Sequence, residues 1–207
     1  MLLIFSFLFI LTCVTLQKGL VQNMNTEKLT QNMIDTIKEW QIKIGYQKEA
    51  IGLYYPADSL KNLLELPADT SLKALLEQLS LFSNATEKQF GKLNISNEKE
   101  RICLQIPEYG VTYIHENIPD SEFLKAFLKE ITTPGCSLEK MRKVFYTFSD
   151  DVAEVDLEQD GLGTVFYFSD DSIDAYVYCL EFDAFGATYH RFSKEDYKAL
   201  KKIGHKH

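Results

Sequence analysis

A chain of 207 residues with 45% hydrophobic and 13% aromatic content is long and apolar enough to bury a sizeable core. Its net charge of −8 argues against nucleic acid as a partner, because backbone binding needs clustered Lys and Arg to displace counterions. Acidity by itself reports solubility, and the 25% charged fraction is that of an ordinary soluble protein.

The chain opens on an apolar run from Leu2 to Leu16, shorter than the roughly 20 residues that span a bilayer. No Lys or Arg precedes the run, as a signal peptide would require, and Lys18 follows it. Residues 1–23 are therefore expected to precede the true start at Met24, which gives a cytoplasmic protein. If the segment is retained, it exports the protein or anchors it to a membrane. The cysteines, Cys13, Cys103, Cys136 and Cys179, show no Cys-x-x-Cys spacing. A start at Met24 leaves three, a set that suits reduced thiols better than a disulfide framework.

From Thr26 to Ile44 the residues Leu29, Met33, Ile37, Trp40 and Ile44 recur at helical spacing, and Gly45 stands as the C-cap. Ala50–Pro56 reads as a short strand ended by Pro56. Asp58 or Ser59 caps a helix carrying Leu60, Leu63 and Leu64, and a second helix follows from Thr70. The stretch from Leu93 to Ile118 predicts a hairpin and a third strand. Asp120 or Ser121 caps an amphipathic helix with Phe123, Leu124, Phe127, Leu128 and Ile131 inward. A short helix from Ser137 leads to five expected strands: Val144–Phe148, Ala153–Glu158, Thr164–Phe168, Ile173–Phe182 and Ala187–Phe192. Ser193 caps a closing helix with Glu195 and Asp196 in its first turn and Lys201 and Lys202 in its last. This order predicts an α+β fold, an antiparallel meander packed against N-terminal and flanking helices, forming one domain over residues 24–207.

"VFYTFSDD" at Val144–Asp151 is echoed as "VFYFSDD" at Val165–Asp171, read as two strands that each end in an acidic turn. The run Val144–His190 holds eleven Asp and Glu, eleven Phe and Tyr, and no Lys or Arg. Alternation puts Glu154, Asp156 and Glu158 on one strand face, opposite Ala153, Val155 and Leu157. That acidic face is either simply solvated or an interaction face for a basic protein or small ligand. The spacing of Asp156, Glu158, Asp160 and Gly161 resembles the opening of a calcium loop, but Tyr167 stands where the bidentate Glu belongs. Symmetric closure of the Asp183–Gly186 turn sets Cys179 opposite His190, a pair within about 5.5 Å at Cβ. The pair is either a buried thiol beside a structural imidazole or the nucleophile and base of a thiol-dependent enzyme. No phosphate loop, nucleophile elbow, zincin helix or dinucleotide fingerprint occurs, and no cofactor is implied.

Two stretches resemble a small family of gut Firmicutes proteins known only as a domain of unknown function. One carries Gly45-Tyr46, Glu49, Leu53-Tyr54-Tyr55-Pro56 and Ser59-Leu60. The other carries Tyr178-Cys179, Phe185-Gly186, Thr188-Tyr189-His190-Arg191-Phe192 and Glu195-Asp196-Tyr197. The resemblance implies one domain over most of the chain and brings no activity, cofactor or partner with it. The residues alone favour a monomeric or weakly self-associating, non-catalytic binding or regulatory domain over the Cys179/His190 enzyme.

Overall fold

The computed structural model describes residues 26–157, 163–184 and 186–198. The chain divides after Pro119 into two compact units. Each has its own antiparallel sheet with helices, so the class is α+β as expected. Among the described residues no helix is long and apolar enough to cross a membrane.

The first unit runs α1 (Glu27–Ile44), β1 (Ile51–Pro56), α2 (Ala57–Leu63), α3 (Leu72–Ala85), α4 (Glu87–Phe90), β2 (Asn94–Glu98), β3 (Arg101–Ile106) and α5 (Glu108–Asn117). Its sheet has the order β1-β3-β2, with Leu53 opposite Leu104 and Leu104 opposite Ile95. Leu53, Ile102, Leu104 and Ile106 form the inner face of that sheet. They pack with Leu29, Met33, Ile37, Leu79, Phe82, Phe90 and Ile114 in one core. Gly45 ends α1 at φ 85°, and its amide donates to the Gln41 carbonyl at 2.9 Å.

Three sequence expectations fail in this unit. Neither Asp58 nor Ser59 caps α2, which starts at Ala57 after Pro56 with no side-chain cap bond, so Asp58 falls in its first turn. The third strand expected before Ile118 is α5, because Val111 and Ile114 are buried at helical spacing. The β-branched and aromatic residues of the segment point to a strand only when their period is ignored. The inward stripe of α1 is also rotated. Ile44 is 56% exposed, whereas Lys38 and Gln41 are each only 6% exposed. Burial of these two polar side chains follows from bonds across to α5. Lys38 Nζ donates to the Ile118 carbonyl at 2.7 Å, and Gln41 Nε2 donates to the Val111 carbonyl at 3.3 Å.

The second unit runs α6 (Glu122–Ile131), α7 (Leu138–Phe148), β4 (Val152–Asp156), β5 (Thr164–Phe168), β6 (Tyr176–Phe182) and β7 (Ala187–Ser193). A helix then begins and is described over 194–198. The strands form a meander in the order β4-β5-β6-β7. Ser121 and Ser137 cap α6 and α7, each accepting from the backbone amide three residues on.

The expected strand Val144–Phe148 is the last part of α7, so the meander has four strands rather than five. Met141 and Phe145 are fully buried one turn apart, and that period outweighs the strand propensity of Val, Phe and Tyr. The strand expected from Ile173 begins at Tyr176, since Asp174 Oδ1 accepts the Tyr176 amide at 2.9 Å and holds a turn there.

Each sheet face of this unit has its own cover. Phe166, Phe168 and Tyr178 pack against the helix rings: Phe145–Phe166 stacks at 4.8 Å between centroids, Phe123–Phe168 meets edge to face at 4.8 Å, and Phe127–Tyr178 is tilted at 4.6 Å. Val165, Val177 and Cys179 point the other way and pack with Tyr197 of the last helix.

Candidate functional site

The second unit carries a groove of about 480 Å³. One wall is the start of α7, with Cys136, Ser137 and Leu138; the other is the end of the sheet, with Gly163, Thr164, Leu180, Glu181 and Phe182. The groove exists because α7 starts beside the point where β5 begins and β6 runs on past it. Thr164 is the first residue of β5 and pairs with Leu180, whereas Glu181 and Phe182 continue to pair with β7 alone. Gly163 makes this approach feasible: its φ is +72°, and a Cβ there would lie 2.1 Å from the Leu180 carbonyl oxygen. The lining residues on this side combine apolar side chains, two hydroxyls and a thiol, a mixture that orients small ligands.

Cys136 is the cysteine of this groove, and the sequence offered no pattern that singled it out. It is partly buried and unbridged. Burial first, and then the Glu130 carboxylate, push its thiol above the usual range, only partly offset by Lys140 and a backbone bond at Ser137.

The expected Cys179–His190 register is present: the two residues are direct partners between β6 and β7. They share the sheet face that Tyr197 covers, not the face of the groove. Cys179 is 8% exposed while His190 is exposed. Burial, followed by the Glu181 carboxylate, pushes the Cys179 thiol up. A nucleophile needs the opposite shift. At pH 7 iodoacetamide should therefore modify Cys136 faster than Cys103 or Cys179, both of them buried, and all three more slowly than a free peptide thiol. Site-resolved mass spectrometry reads this order, and rapid labelling of Cys179 would contradict it.

Of the acidic face, Glu154 lies in the row of Phe166 and Tyr178, on the side of the helices. There Arg142 of α7 holds it by two bonds of 2.9 and 2.6 Å. Those bonds keep the Glu154 carboxyl below its ordinary range. A depressed folded value gives stability that is present above about pH 4.3 and lost as pH falls through the folded value. Glu154→Gln should accordingly unfold slightly more easily at pH 7 and converge on the parent as pH drops below about 4. A difference persisting in acid, measured by urea titration, would assign the loss to packing instead. Asp156 is exposed at the end of β4, and Glu158 and Asp160 lie outside the described residues. Among the described residues no group of three His, Cys, Asp or Glu is placed to hold a metal ion.

Three of the other acids in the cation-free run, Asp170, Asp174 and Asp183, close turns. Asp170 accepts the Ser172 amide at 2.8 Å, Asp183 the Gly186 amide at 2.9 Å, and Asp174 the Tyr178 hydroxyl at 3.0 Å. The two Ser-Asp-Asp copies meet, with Ser169 Oγ donating to Asp151 at 2.9 Å. The first copy ends a helix and the second ends a strand, so they are not equivalent sites. Lys194, from beyond the run, reaches back to the Phe168 carbonyl at 2.8 Å and pairs with Asp171.

A family model described as "Domain of unknown function, E. rectale Gene description (DUF3877)" matches residues 26–201. No curated protein and no solved structure matches the chain.

Proposed function

The chain belongs to this family of domains of unknown function, and from that premise we propose that it is a non-catalytic binding domain that holds a small ligand in the groove beside α7. The observation that carries the reading is the groove itself. Its volume of about 480 Å³ falls within the roughly 300–1,000 Å³ of small-molecule sites. Its lining mixes apolar side chains with polar groups able to fix an orientation. Among the described residues no histidine lines it, and burial pushes its thiol above the usual range, so the residues that meet there favour holding a molecule over transforming it.

A basic protein on the acidic strand face is a less supported form of the same idea, since Arg142 already occupies Glu154. The three described cysteines are unbridged, which supports a reducing, cytoplasmic setting. The test is a fragment library of neutral, cationic and anionic compounds applied to the full chain and scored by protection of Cys136 from alkylation. Some fragments should protect Cys136 in the parent and lose that effect in Leu138→Trp, which fills the groove from its partly exposed wall. If no fragment protects Cys136, or if Leu138→Trp retains the protection, the groove is not a ligand site.

A further inference from the structure

We infer that the groove seats the carboxylate of a small organic acid against the amino-terminal end of α7; this rests on the reading of the groove as a ligand site. Cys136, Ser137 and Leu138 form its helix wall; Ser137 is the N-cap of α7 and Leu138 its first helical residue. A helix start leaves backbone N–H groups without intrahelical acceptors. Here Ser137 Oγ accepts the Lys140 amide, and the Ser137 amide bonds to the Cys136 thiol. No described residue accepts the amides of Leu138 and Glu139. Oriented donors therefore remain at the positive end of a helix of 11 residues.

The sheet wall points to the same chemistry. Thr164 is only 4% exposed and lines the groove. It is paired with Leu180, and none of the described hydrogen bonds involves its hydroxyl. A buried hydroxyl without a partner costs free energy that an acceptor on a ligand would recover. The charged side chains nearby do not oppose this. Glu130 and Lys140 act on Cys136 with opposite signs, Glu139 lies 3.6 Å from Lys143, and Glu181 belongs to the Val177–Cys179 row on the far face of the sheet. The amides and the hydroxyl thus form a donor set that suits a group with two acceptor oxygens. An ammonium group in the same place would meet those amides donor to donor. Leu138 and the half-exposed Phe182 offer apolar contact to the rest of the molecule.

Three probes of one length test this: 3-phenylpropionate, 3-phenylpropanamide and 3-phenylpropylamine, each titrated for protection of Cys136 from iodoacetamide in the full chain. The carboxylate should protect at concentrations about fivefold lower than the amine, with the amide between them. Thr164→Val keeps the shape of the side chain and removes the hydroxyl, and should weaken protection by the carboxylate about fivefold. Leu138→Pro removes one amide at the first helical position, where proline is accommodated. It should narrow the lead of the carboxylate over the amine about two- to threefold. Both variants should keep the circular dichroism spectrum of the parent. Equal or better protection by the amine, or a lead that survives both variants intact, overturns the carboxylate seat and leaves the ligand site standing. If no probe and no library fragment protects Cys136, both readings fall.

Discussion

Phe145→Ala is expected to cost the second unit about 3–5 kcal/mol of unfolding free energy, the usual penalty for deleting a buried aromatic side chain. The side chain is fully buried, and its ring lies 4.8 Å from that of Phe166, 5.0 Å from Phe123 and 5.4 Å from Phe168. Those rings come from β5, α6 and β5 again, so Phe145 joins α7 to both of its neighbours within the unit. Ring pairs add to the loss beyond simple area burial, and the cavity left behind is too enclosed by rigid rings to collapse easily. Hydrogen exchange of the β5 and β6 amides under urea reads the effect in the unit concerned. Phe145→Leu should lose less, because it refills part of the volume. A loss below about 1 kcal/mol for the alanine variant would mean that α7 does not pack through this residue.

Gly110→Ala is the second test, and its sign is the point. In an exposed helix interior this change stabilises by about 1 kcal/mol, because alanine has the better helix propensity. Gly110 is buried in the first turn of α5, where an added Cβ would lie 2.3 Å from the Phe90 carbonyl oxygen and 2.7 Å from Ile106 Cγ2. The first of these is backbone and cannot rotate away. The substitution should therefore destabilise the first unit by about 1–3 kcal/mol, as overpacked cores do, through separation of α5 from α4. A variant as stable as the parent in thermal unfolding would show that α4 can shift without cost.

The same two positions show where local reading succeeds and fails. Ser121 and Ser137 were legible as caps because capping needs only a side-chain oxygen and an amide three residues away. The Cys179–His190 register was legible because a short turn sets which residues oppose one another. Val144–Phe148 and the segment after Pro107 were misread as strands, since both are rich in residues with strand propensity. Their burial period of three to four decides otherwise, and it is clear only once the partners are known. The groove was not legible at all. Its walls, Cys136–Leu138 and Leu180–Phe182, lie more than forty residues apart in sequence, and no spacing rule links them.

What the sequence by itself determined are the features that local chemistry closes. These are the Ser121 and Ser137 caps, the acidic turns, the hairpin register, the apolar face of α6, and the family over residues 26–201. The tertiary structure decided which polar groups are consumed. The run from Val144 to His190 contains no Lys or Arg, yet Arg142 and Lys194, just beyond its two ends, fold back onto Glu154 and Asp171. Charge balance is a matter of distance in space, falling off over a few ångströms in a screened medium, and linear composition does not record it. For that reason the acidic run read as an open surface in one dimension, while in three it is a set of closed turns and ion pairs beside a groove that a different stretch of chain completes.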